Sequence, residues 1–205
     1  HITLLARLEL VSFKLVILRP DNDSYVETWP EKLDEVVSGI TVYFCNNLSE
    51  AMNVIEEADA AFGDVSPELF ARANNLKWIQ CFQAGPKAGY YHSALMESDV
   101  LVTNTRGIFN DHISTHIMSY VLAFARGLNV YIPRQIKHYW NPGYETIHLP
   151  NSTAIIVGAG GIGAETARLC SAFGMRVIAV DPRVSERPIG VDELYGTDYL
   201  DELLP

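Results

Sequence analysis

The stretch Thr153-Ala-Ile-Ile-Val-Gly158-Ala-Gly160-Gly161-Ile162-Gly163 decides how this chain is read. Thr153–Val157 is a continuous apolar run, suited to a strand buried on both faces of a parallel sheet. Gly158 permits a tight turn out of that strand. Gly160 leaves no Cβ to hold an anion away from the backbone, and Gly163 lets the following helix lie close on the sheet. The spacing predicts that helix over Ile162–Phe173, with the small residues Gly163, Ala167 and Cys170 on one face. Its N-terminus aims unsatisfied N–H groups and a partial positive charge at the turn, so Gly158, Gly160, Gly161, Ile162 and Gly163 form a candidate pyrophosphate cradle.

Met175–Val180, the next apolar run, ends in Asp181, 18 residues after Gly163. An acid at this spacing can accept both ribose hydroxyls of an adenosine and repels a 2′-phosphate, which favours NAD over NADP. Arg183 tempers that preference, because a guanidinium there can stack on adenine or pair with a phosphate. Strand, turn, helix and acid in register point to a dinucleotide site; the bland alternative is a βαβ unit with no ligand.

Upstream, short β-rich runs alternate with amphipathic stretches. Strands are expected at Phe13–Leu18, Thr41–Phe44, Ala60–Gly63, Leu76–Phe82 and Val100–Val102, with a polar turn at Asp21–Ser24 and helices around Pro30–Val37 and Ser49–Glu57. Ser66-Pro67-Glu68 opens another helix, with Ser66 as its cap. Such alternation implies a mainly parallel α/β sheet. A longer helix follows, with Asn110 or Asp111 as cap and Ile113, Ile117, Val121 and Leu122 repeating at helical spacing through Ala125. Tyr131–Pro150, with Pro133, Pro142 and Gly143, reads as an irregular, aromatic-bearing connection. The fold expected is a flavodoxin-like domain over residues 12–104, then a truncated Rossmann domain over residues 105–205, entered by a linker helix near residues 109–127.

A net charge of −10, from 15 basic against 25 acidic residues, argues against a nucleic-acid partner. An anionic ligand must then be met by local N–H groups or a few placed arginines. Cys45, Cys81 and Cys170 each sit in a hydrophobic stretch and read as buried free thiols, which suits a reducing cytoplasm. No apolar run reaches the length of a membrane span. The opening His1–Leu10 is short, interrupted by Arg7 and Glu9, and lacks the features of a signal peptide. No methionine precedes Met52, and the chain stops where a helix at Tyr199–Pro205 is finishing, so it reads as a fragment.

The run Asn151–Arg183, with Val157-Gly-Ala-Gly-Gly-Ile-Gly163 and Ala172-Phe-Gly-Met-Arg-Val-Ile178, resembles the cofactor domain of D-2-hydroxyacid dehydrogenases. The resemblance extends through Asn104-Thr-Arg-Gly-Ile-Phe-Asn110, Tyr120–Arg126, Gln135 and Trp140, and back to Trp78-Ile-Gln-Cys-Phe-Gln-Ala-Gly85. It implies two α/β domains, an NAD cofactor, and hydride transfer between a 2-hydroxy acid and its 2-keto acid. It also implies a homodimer for the full-length protein, with the linker helix near the interface. In relatives the turn matching Gln83-Ala84-Gly85 offers N–H groups to the substrate carboxylate, which makes Ala84 and Gly85 the candidate substrate residues; a plain strand-end turn is the alternative. Three positions depart from the pattern. Pro86 and Lys87 replace an aliphatic residue and an acid, and Thr115 stands where a glutamate is common.

Relatives use an arginine, a histidine and an acid for the chemistry, all further along the chain than Pro205. The expectation is therefore that no residue here is catalytic and that the isolated chain is inactive. A non-catalytic NAD(H)-binding regulatory module is the rival reading. His112 and His116 share the spacing of a zinc motif but lack its glutamate and a third ligand, so no metal is assigned. His92 and His138 have no motif around them. Tyr90, Tyr91, Tyr131, Tyr139 and Trp140 read as packing, and Glu193, Asp198, Asp201 and Glu202 as a solvated face.

Overall fold

The computed structural model describes residues 12–20 and 24–204. The opening His1–Leu10, most of the turn at Asp21–Ser24, and Pro205 lie outside them. The chain divides into two compact units, one ending at Arg106 and the other beginning at Gly107.

The first unit is a parallel sheet of β1 (Phe13–Leu18), β2 (Ile40–Cys45), β3 (Ala60–Phe62), β4 (Trp78–Gln80) and β5 (Leu101–Thr103), in the order β2-β1-β3-β4-β5. That order is the flavodoxin-like one. Its connections carry α1 (Trp29–Val36), α2 (Leu48–Val54), α3 (Pro67–Phe70) and α4 (Ser93–Met96). Ser66 caps α3 by accepting the N–H of Leu69 at 3.2 Å, with Pro67 in the first turn. Asn47 caps α2 in the same way, accepting from Glu50 at 3.0 Å. Asp59 ties β1 to β4, taking the N–H of Lys14 at 3.0 Å and the ammonium of Lys77 at 2.8 Å. Val16, Ile55, Ala61, Leu69, Ile79 and Cys81 form the buried core.

The second unit contains α5 (Asn110–Ala125), α6 (Leu128–Ile136), β6 (Thr153–Val157), α7 (Gly161–Ala172), β7 (Arg176–Val180), β8 (Glu193–Tyr195) and α8 (Leu200–Leu203). Its three strands are parallel in the order β6-β7-β8, as in the first half of a Rossmann unit. α5 packs along α7, and Met118, Ala167, Cys170, Val177, Ala179 and Val191 form the core. No helix among the described residues is long and apolar enough to cross a membrane.

Four expectations are corrected. β6 is an edge strand of the described sheet rather than one buried on both faces. It pairs only with β7 there, Val157 is 65% exposed, and only Ala154–Ile156 are half-buried. The residue before α5 is Phe109, with no side-chain cap. Asp111 instead accepts the N–H of its neighbour His112. The stretch from Tyr131 is helical as far as Ile136, even though Pro133 lies inside α6. Proline forgoes one bond there, to the carbonyl of the exposed Asn129, so the cost falls on a group that water can satisfy. Finally, Glu193 belongs to β8. Its carboxylate accepts from Arg176 of β7 and, at 2.5 Å, from the Tyr195 hydroxyl. The short, charged strand lacked the apolar run that marks β6 and β7.

Candidate dinucleotide site

The glycine turn grows out of the carboxyl end of β6, where the N–H of Gly158 bonds the carbonyl of Val180 at 2.8 Å. Gly158 has φ +96°, a conformation that side chains other than glycine rarely adopt. A Cβ built on Gly158 or Gly160 would meet nothing within 4 Å, so both residues present bare backbone to open space. Gly163 is the opposite case. A Cβ there would strike the carbonyl of Gly158, and it would lie 3.2 Å from the Ile156 side chain. Glycine at this position is what lets α7 close on the turn.

α7 begins at Gly161 with no side-chain cap, and its first bond to the turn is from Ala164 to the Gly160 carbonyl at 2.7 Å. The N–H groups of Gly161, Ile162 and Gly163 have no partner among the described residues. Those orphan donors and the helix dipole face the space that the missing side chains leave open. This arrangement fits a pyrophosphate: it provides bare backbone for close approach and several N–H donors without a lysine or arginine.

Asp181 follows β7 and is 7% exposed. Its Oδ2 accepts the N–H of Ala159 in the turn at 2.9 Å. Its Oδ1 accepts those of Arg183 at 2.8 Å and Val184 at 3.0 Å. The Arg183 N–H, with those of Val184 and Ala159 and the Arg183 charge, holds this carboxyl below the usual carboxylate range against the opposing effect of burial. With three of about four acceptor positions used, one remains on Oδ2 for a ligand hydroxyl. The sequence reading gave it two. Arg183 is exposed.

In the first unit, Gln83, Ala84 and Gly85 form an exposed turn beyond the carboxyl end of β4. The Gln83 N–H points back to the Cys81 sulfur at 3.4 Å, whereas those of Ala84 and Gly85 have no partner among the described residues. The departure at Lys87 has a local partner, since its ammonium pairs with Asp64 at 2.6 Å. Tyr90 is buried, and burial pushes its phenol well above the usual tyrosine range. His116 packs edge-on against Tyr120 at 4.9 Å. No group of three metal-ligating side chains stands together among the described residues.

A parallel α/β unit with this turn at the end of its first strand is of the Rossmann class. Residues 118–205 match the family model described as "D-isomer specific 2-hydroxyacid dehydrogenase, NAD binding domain", and the resemblance read from the sequence is borne out. A D-isomer specific 2-hydroxyacid dehydrogenase family protein from Aeromonas salmonicida is 27% identical, with a TM-score of 0.78, over 93% of this chain and 60% of its own. The D-3-phosphoglycerate dehydrogenase of Methanocaldococcus jannaschii is 24% identical over 93% of this chain and 36% of its own length. An uncharacterized protein of Corynebacterium melassecola is 28% identical over 73% and 49% respectively. The chain thus spans half or less of the curated relatives it matches.

Proposed function

We propose that this chain is the N-terminal portion of an oxidoreductase that transfers a hydride between NAD(H) and a 2-hydroxy acid/2-keto acid pair. The observation that carries the reading is the Gly158–Gly163 turn, with bare backbone at Gly158 and Gly160 and uncapped N–H groups at the start of α7. When bound, the nicotinamide supplies the hydride chemistry. The chain's own residues bind and orient. Gly158, Gly160, Gly161, Ile162 and Gly163 hold the pyrophosphate. Asp181 accepts a ribose hydroxyl, and its negative charge disfavours the 2′-phosphate of NADP. Arg183 lies beside the adenosine end, and Ala84 and Gly85 give N–H groups to the substrate carboxylate.

On this reading the substrate domain spans residues 12–104 and the cofactor domain residues 105–205. Proton transfer and carbonyl polarisation fall to an arginine, an acid and a histidine outside these 205 residues, and the chain alone does not turn over. Three buried free thiols suit a cytoplasmic setting. The full-length protein is a homodimer through α5 and α6. The support is an apolar stripe left open on Ile113, Ile117, Tyr120 and Phe124, continued by Leu128, Ile132 and Ile136.

The test is a titration of the purified chain with NADH and NADPH, followed by nicotinamide fluorescence. Saturable NADH binding, weaker for NADPH and abolished by Gly160→Val, supports the reading. A folded chain that binds neither nucleotide overturns it.

A further inference from the structure

The turn carries a glycine that the Gly-x-Gly-x-x-Gly spacing does not require. Gly161 occupies a free position of that pattern, yet a side chain on it would have to displace the Asn110 carboxamide. A Cβ built there would lie 2.5 Å from Nδ2, 2.8 Å from Oδ1 and 2.9 Å from Cγ of Asn110. The Asn110 carboxamide fills the place of the Gly161 side chain, beside the first free N–H of α7. It is also released from the duty its position suggests, because α5 starts without a side-chain cap. Asn110 and Gly161 together line an open cavity of about 620 Å³ with Gly107, Asp111 and the Glu165–Arg168 ion pair, in which the cation is already matched by a carboxylate. Packing of α5 along α7 holds the two residues in one compact unit.

We propose that Asn110 completes the pyrophosphate cradle, its carboxamide Nδ2–H donating to a phosphate oxygen alongside the N–H groups of Gly161 and Ile162. The proposal rests on the dinucleotide reading above. It gives the linker helix a contact with the cofactor and accounts for Gly161: a larger residue would push the carboxamide off the turn. A neutral donor suits a chain of net charge −10, which has few cations to spare.

The experiment compares three probes on the 205-residue chain: NADH by fluorescence, ADP-ribose by calorimetry, and adenosine by nuclear magnetic resonance. Asn110→Ala should weaken NADH and ADP-ribose about tenfold, as expected for losing one hydrogen bond to a charged group, and leave adenosine unchanged. Asn110→Asp should weaken the phosphate-bearing probes further, because it places a carboxylate against the pyrophosphate. Asn110→Ser, which keeps a donor, should recover part of the loss. Gly161→Ala should mimic Asn110→Ala, and the double variant should be no worse than either single one, with circular dichroism confirming the fold of each. Equal ADP-ribose affinity in wild type and Asn110→Ala overturns the role of Asn110 and leaves the dinucleotide site standing. An equal loss for adenosine also overturns it, since the carboxamide would then be only a packing wedge. A folded wild type that binds neither NADH nor ADP-ribose overturns both readings.

Discussion

Three backbone N–H groups, from Ala159, Arg183 and Val184, converge on the Asp181 carboxylate, so the residue braces the turn besides its proposed contact with a ribose hydroxyl. Asp181→Asn replaces one acceptor oxygen with an amide donor, and its melting temperature should fall even without nucleotide. Because the folded-state pKa is lowered, this contribution is present above the ordinary value of 3.8 and is lost as pH falls through the lower folded value. The gap between wild-type and Asp181→Asn melting temperatures should therefore be full near neutrality and close in strong acid. A gap that persists unchanged into acid would contradict the brace. Gly163→Ala places a methyl group against the Gly158 carbonyl, and backbone cannot swing aside as a side chain can. It should destabilise the chain by about 1–3 kcal/mol in urea unfolding and lose NADH binding. The glycines and Asp181 were legible from spacing alone. Asn110 was not, because the pairing of residues 110 and 161 depends on how two helices pack, and no local pattern encodes it.

At the scale of elements, those with an apolar run or an evident cap were readable even where short, as β3 and α3 are, whereas β8 and α6 were not. The Ser66 cap is an example of the first kind. Ser66→Ala should cost about 1 kcal/mol, read as a lower urea midpoint at unchanged slope. β8 is an example of the second. Its Glu193 looked like a solvent residue until Arg176 of the neighbouring strand supplied a partner. α6 escaped notice because Pro133 argues against a helix, although a nine-residue helix can spare one bond. The open stripe on α5 carries its own prediction. Phe124, 55% exposed, should tolerate Phe124→Asp in the folded monomer. In the full-length protein, sedimentation should show that variant shifted from dimer to monomer. A variant dimer as tight as wild type would move the interface elsewhere.

For the whole molecule, the parallel architecture followed from the strand–helix alternation, while the strand order and the edge position of β6 in the described sheet required coordinates. Each unit has a hydrophobic core of its own, and the three thiols are divided between them. Cys45 and Cys81 lie in the first core and Cys170 in the second. Burial also keeps Cys45 and Cys170 protonated at neutral pH, because it raises both thiols above their ordinary value. A thiol reagent therefore reacts only when a core opens, and the mass added identifies which one. Two labels mark opening of the first unit, one label the second, and three labels at once a concerted event. Intact mass spectra over a labelling time course should show species with one or two labels before three if the units open separately. The chain thus contains its own clock for each half, with no probe to be engineered.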